Sequence, residues 1–424
     1  MSTSTIALII LVVYDHFVCI RQGSPLRAAR SRALAMGICG VIPFTSAFAG
    51  FASDVTMMVI GSMIIGEALF ETGVAQKIGT SIIRMVGIRE KLFIVVCVVV
   101  SAILSAFLSN TAVVAMMLPV VSATAASSRG AISRKNSFMA IGFAANVGGG
   151  MTLVGSTPNV IGQGILADAG LETMGFFDLT WGSIPRLLFI ILFYATIGYA
   201  LQKRVFDFEE KYDLAQDAQE EEEQAQYSTV KMIISSAILI LTVIGFVVGI
   251  WTVGAVAMVA GLACILTGCI SVKQVFARLD WTTVWVLAGS LGFAAGISES
   301  GAGKLIADTV IGWMGGNISM FKLLIIFTIL SVIMSNVMSS TASMAMLGPI
   351  ALSMCASLGY AAKPVIMAII WSLNLAFLTP IATPPVTMTL QGGYRFLDYT
   401  KIGTPLLIGC LILTIASYPF VFQL

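Results

Sequence analysis

Ser105-Ala106-Phe107-Leu108-Ser109-Asn110-Thr111-Ala112, followed by Pro119, sets a polar cluster in the middle of an apolar run from 91 to 127. Such a run reads as a helical hairpin with a polar turn, because irregular backbone survives at membrane depth only where it lines a cavity or is buried in protein. The arrangement returns as Ser335-Asn336, then Ser339-Ser340-Thr341-Ala342 and Pro349, inside the apolar run 321–358. The correspondence extends outward from the two hairpins. Glu71-Thr72-Gly73 answers Glu299-Ser300-Gly301, and Gly155-Ser156-Thr157-Pro158 answers Ile381-Ala382-Thr383-Pro384. Phe177-Asp178-Leu179-Thr180 answers Leu397-Asp398-Tyr399-Thr400. Each half also carries five apolar segments of spanning length. An odd number makes the second copy enter the bilayer from the opposite face, so the expected architecture is two inverted repeats, 1–202 and 231–424, joined by a linker at 203–230.

Composition sets the solvent. Of 424 residues, 58% are hydrophobic and only 10% charged, against roughly 25% charged in soluble domains. The fold class expected is an all-α polytopic membrane protein, with spanning segments at 2–20, 33–51, 55–73, 136–169, 184–202, 231–250, 253–270, 282–298, 364–393 and 404–422. Thr5 to Ile20 has no basic residue before it and no small-residue cleavage site, so it reads as a span and not a signal peptide. With both termini outside, all of the 23 basic residues except Arg186, Lys304, Lys322 and Lys363 fall on the inner side, which satisfies the positive-inside rule. The linker, with Glu209, Glu210 and the run Glu220 to Glu223, is then cytoplasmic, and the protein is a multi-pass component of the cell's inner (plasma) membrane.

Several function classes drop out. A single histidine, His16, and seven cysteines without ligand spacing argue against a transition-metal site or a Ser-His-Asp triad, hence against an enzyme. No basic, aromatic-interleaved patch points to nucleic acid.

Chemistry concentrates where helices must break. Gly148-Gly149-Gly150 with Gly155-Ser156-Thr157-Pro158-Asn159 interrupts the span 136–169, and Thr379-Pro380 with Thr383-Pro384-Pro385 interrupts 364–393. Freed N–H groups at a new helix start favour an anion, while freed carbonyls beside hydroxyl and amide oxygens suit a cation such as Na⁺. The candidate anion-binding residues are Ser109, Asn110, Thr111, Ser156, Thr157, Ser339, Ser340, Thr341, Thr383 and Pro384. Arginine and lysine are absent from these clusters, so co-bound Na⁺ is expected to supply the balancing charge. Of the carboxylates near span ends, which include Glu299, Asp54 and Asp280 read as helix caps, and Glu67 and Glu71 remain relay candidates.

The paired hairpin motifs, the Gly-Ser-Thr-Pro-Asn stretch, the Ala-Thr-Pro-Pro run and Asp398-Tyr399-Thr400-Lys401-Ile402-Gly403 together resemble the divalent anion/sodium symporter family of the ion transporter superfamily. The resemblance covers the chain from about residue 33. It implies Na⁺-coupled symport of a divalent organic anion, a C4-dicarboxylate such as succinate or malate, by a homodimer with an elevator motion. Citrate, tartrate or sulfate, an exchange mode, and cation/proton antiport through a carboxylate such as Glu71 stand as alternatives. Carried over by position, the resemblance implies a first Na⁺ site of Ser105, Ser109, Asn110 and Gly155, and a second of Ser335, Ser340 and Ala382. Three positions depart from the family pattern: Ser340 and Val386 stand where asparagine is usual, and Thr157 where proline is. Loss of a side-chain amide opens the second site to a proton in place of Na⁺.

Overall fold

A computed structural model describes residues 3–7, 9, 10, 34–74, 77, 89–128, 131–208, 227–249, 251–313, 318–380 and 382–422. Most of the expected first span, 2–20, and most of the linker lie outside these residues. Among those described, the regular elements are all helical. Six stretches are long and apolar enough to cross a membrane: Phe44–Glu71, Asp178–Val205, Thr229–Val248, Met320–Val337, Ser340–Leu358 and Phe396–Phe422.

The first hairpin comprises helices Glu90–Ser105 and Asn110–Ser127, and the second Met320–Val337 and Ser340–Leu358. Both arms of the second hairpin reach spanning length, so a re-entrant path rests on its polar turn and not on short arms. The segment expected at 136–169 is two helices, Arg134–Gly149 and Thr157–Asp168. That at 364–393 is Ala362–Leu373 and the short Pro384–Met388, with a 3₁₀ turn to Gly392. Ser156 and Thr383, which lead out of the two breaks, share one extended backbone conformation (φ −143°, ψ 144° and φ −141°, ψ 143°).

Local chemistry explains the recurring boundaries. Ser109 and Ser339 each cap the returning arm of their hairpin, the hydroxyl accepting the N–H of Ala112 and of Ala342 at 3.2 Å. Gly73 and Gly301 follow the ends of helices Asp54–Glu71 and Trp281–Glu299 with φ +80° and +73°, left-handed turns that favour glycine. Two spans begin earlier than expected. Asp178 and Asp398 fold back to accept the N–H groups of Gly175 and Arg395, so the last helices of each half start at 178 and 396 instead of 184 and 404. An amphipathic helix, Ala302–Trp313, was not expected at all.

The broken helices occupy the centre. Every residue from Asn136 to Gly149 is buried, as is every residue from Val365 to Leu373, the pattern of a helix enclosed on all sides. Around them the supporting helices pack through small residues. At Gly61 a side chain would overlap the Ala257 backbone of helix Val253–Leu266, so this crossing requires glycine.

Candidate functional site

One cavity of about 410 Å³ is lined by both hairpin turns and both helix breaks, a size within the range of small-molecule sites, roughly 300–1,000 Å³. All ten candidate anion-binding residues named above border it, together with Gly155 and Ala382. Ser105 and Ser335 do not border it; they lie behind the turns, fully buried.

Each turn is held to its break by the same device. The Thr152 hydroxyl donates to the Ala106 carbonyl, and the Thr379 hydroxyl donates to the Asn336 carbonyl at 2.9 Å. Helix starts at Asn110 and Ser340 thereby face the cavity, and the first N–H groups of a helix have no acceptor within it. Asn146, in the last turn of Arg134–Gly149, and Asn374, which ends Ala362–Leu373, border the same cavity.

The two halves differ in how they use their amides. One terminal atom of the Asn110 amide lies 2.9 Å from Gly155 O, 3.2 Å from Ala145 O and 2.5 Å from Ser105 Oγ. As nitrogen it donates to these oxygens; as oxygen it completes a group of four converging oxygens. At the related place Ser340 donates only to Leu373 O, at 2.9 Å. The second hairpin has its amide on the other limb, at Asn336, where it is consumed in closing the break. Its nitrogen donates to Leu375 O at 3.3 Å and its oxygen accepts Leu378 N–H at 2.8 Å. The structure pairs Ser156 with Thr383 as the caps leading out of the breaks, one residue off the match read from sequence. Asn159, three residues on, donates to Gly149 O at 2.7 Å and Thr152 O at 2.8 Å, whereas Val386, three residues after Thr383, is a buried apolar residue.

Among the lining residues that the sequence reading did not single out are two buried amides. Asn146 and Asn374, near the ends of the two broken helices, are buried and border the cavity. The detectable signal was an amide near the end of an apolar segment in each half.

Charge enters at the margin. Glu67, Arg278 and Asp280 also line the cavity, so its donors are not all neutral. Arg278 pairs with Glu71 at 2.5 Å, and Gln274 donates to the same carboxylate at 2.6 Å, which gives Glu71 a structural partner. Asp280 caps its own helix through Thr283 N–H at 3.2 Å. Asp54 instead accepts the N–H of Gly254 at 3.0 Å and so caps the neighbouring helix, while Ser53 caps its own.

Comparison with known proteins accords with this geometry. The chain is 27% identical over 413 residues to a transporter of Haemophilus influenzae, a match covering 91% of this chain and 84% of that protein. It is 23% identical over 432 residues to the sodium-dependent high-affinity dicarboxylate transporter 3 of Caenorhabditis elegans, covering 89% and 76%. The solved structure of the Alcanivorax borkumensis YdaH transporter, described as having an unusual topology, superposes with a TM-score of 0.64 at 16% identity over 92% of this chain and 89% of that one, a likeness of fold. The citrate transporter family model, CitMHS, matches residues 26–315 and 248–424. Both hairpins and both broken helices fall within the matched residues, and the chain belongs to the citrate transporter family.

Proposed function

We propose that this protein is a Na⁺-coupled symporter of a divalent organic anion, a C4-dicarboxylate such as succinate or malate, in the plasma membrane. The single supporting observation is the convergence of two hairpin turns and two helix breaks on one cavity. Helix starts at Asn110 and Ser340 offer N–H groups and a positive dipole end to carboxylates. Ser109, Thr111, Ser339, Thr341, Ser156, Thr157 and Thr383 add hydroxyl donors around the same space.

The first Na⁺ site fits the residues present. Of the residues named for it, Ser109 has a hydroxyl that accepts the N–H of Ala112, while Ser105 and Gly155 bring oxygens to the Asn110 amide, joined by Ala145 O, the ligand type that coupling cations take in broken-helix transporters. A half turn of the amide would replace those contacts by hydrogen bonds when the ion leaves, which couples ion occupancy to the hairpin. The second site, built on Ser335, Ser340 and Ala382, has a hydroxyl in place of the amide, so its ion is Na⁺ held more weakly, or a proton.

The two halves act as inverted repeats, with their hairpins and broken helices moving as one elevator body against the remaining spans in a homodimer. Ser109 and Thr111 are exposed while Ser340 is buried, so the cavity opens on the side of the first hairpin. The charge-derived topology makes that side cytoplasmic, an inward-facing state.

The deciding experiment is thermal unfolding of purified protein with succinate, malate, citrate, tartrate or sulfate, each with and without Na⁺. Stabilisation by a dicarboxylate that requires Na⁺ is expected, since ligands that bind the folded state raise its apparent stability. Stabilisation by none of them, with no uptake into proteoliposomes, would sink the proposal.

A further inference from the structure

Arg186 is the one arginine or lysine classed as buried among the described residues, 2% exposed in the middle of helix Asp178–Phe193. No described carboxylate pairs with it, and its Nε has no hydrogen-bond partner. A buried unpaired cation is costly unless something negative faces it. What faces it is a pair of helix ends. Nη1 donates to Trp371 O at 2.9 Å, in the last turn of Ala362–Leu373. Nη2 donates to Ser183 Oγ at 2.6 Å, and that hydroxyl lies 2.7 Å from Gly150 O, the cap of Arg134–Gly149, and 2.8 Å from Leu179 O in its own helix. The guanidinium lies 5.4 Å from the Trp371 ring centre. A helix C-terminus carries roughly half a negative charge, so two of them together balance one guanidinium. These are the same two ends that meet the cavity on their far side, where Asn374 lines the wall beside Gly150. The second half has no equivalent: Pro405 answers Pro185 within the last helix, and buried Leu406 stands where Arg186 would.

We propose that Arg186 is a built-in counter-charge for the transported anion: from behind, it cancels the negative ends of both broken helices and so takes the place of one co-bound cation. The inference rests on the anion-transport reading above. Arg186 touches neither ion directly, and is a positioning residue for charge. With the helix ends neutralised, the cavity is left with the positive helix starts of the hairpins. Without Arg186, the same cavity would face two negative ends and would draw a further cation from solution.

The test uses opposite signs. Na⁺ binding alone, and succinate binding at saturating Na⁺, are measured on the purified protein and on Arg186→Leu, the residue found at the related place. A unit charge acting over several side-chain lengths at an effective dielectric near 20 is worth on the order of tenfold in affinity per unit of ligand charge. Arg186→Leu is therefore expected to weaken succinate by tenfold or more and to tighten Na⁺ by up to tenfold, with Arg186→Lys near the parent for both. A merely structural role weakens both ligands together; that result, or no change in either, overturns the inference. If Arg186→Leu does not fold, Arg186→Gln is read the same way, and if only Arg186→Lys folds, the charge serves folding and the inference falls. A parent protein that binds none of the anions overturns the underlying reading as well, and is recognised before any variant is made.

Discussion

Asn146 Nδ2 donates to Thr383 Oγ1 at 3.0 Å, so an amide near the end of one broken helix closes on the hydroxyl at the exit of the other. The return contact is made by Asn374, whose Nδ2 donates to Asn159 Oδ1 at 3.2 Å. The two breaks thus brace each other across the cavity. Asn146→Ala is expected to lower stability by about 1–3 kcal/mol, the cost of leaving a buried polar partner unsatisfied. A double-mutant cycle with Thr383→Ala, followed by thermal unfolding, isolates the pair; a coupling energy of zero would show that the contact carries nothing.

Asn110→Ala removes the amide that faces three oxygens of the first turn and break. Na⁺-dependent succinate uptake should fall to background, and Na⁺ alone should raise the unfolding temperature less than in the parent. Uptake that persists with its Na⁺ dependence intact would move the ion elsewhere.

Ser340→Asn restores an amide where the second turn has a hydroxyl reaching only Leu373 O. The expected gain is a steeper Na⁺ activation of uptake at unchanged maximal rate. Activation curves of the parent and the variant in proteoliposomes decide it, and superimposable curves would mean that the second cluster holds no Na⁺.

Gly149→Ala should separate folding from function. Alanine is favoured over glycine in a helix by about 1 kcal/mol, yet a side chain at Gly149 would overlap the Asn110 amide. Protein that folds and inserts normally but no longer takes up succinate is the expected outcome, checked by pairing an unfolding curve with a flux measurement.

Glu71→Gln tests the antiport alternative. Glu71 sits in a half-exposed pair with Arg278, where a single ion pair is worth at most about 1 kcal/mol. Dicarboxylate uptake is expected to stay within about fivefold of the parent, whereas a proton relay through this carboxylate would lose its transport altogether.

Much of the fold was legible because polar residues in an apolar run have few places to go. The polar residues at 109–111 (Ser-Asn-Thr) and 339–341 (Ser-Ser-Thr) had to mark turns lining a cavity, and Ser109 and Ser339 do cap the returning helices. Glycine and proline placed the breaks for the same reason. What stayed hidden depended on tertiary partners. Nothing local to Asp54 says that it caps a neighbouring helix and not its own. Arg186 sits in an apolar helix and was counted only as a charge on the outer side; its meaning comes from two carbonyls distant in sequence. The beginnings of the last helix in each half were missed because acidic residues folding back on their own backbone look, in sequence, like loop.

Asn336 spends its amide within the second break, on Leu375 O and Leu378 N–H, whereas the amide of Asn110, held against Gly155 O, Ala145 O and Ser105 Oγ, borders the cavity. Under the proposed function the two halves would therefore be unlike in compliance: the second an anvil, the first a latch. In the proposed elevator mechanism, the signal that starts the cycle would enter through the latch, and the anvil would fix the frame of reference against which that small rearrangement becomes a displacement of the whole body.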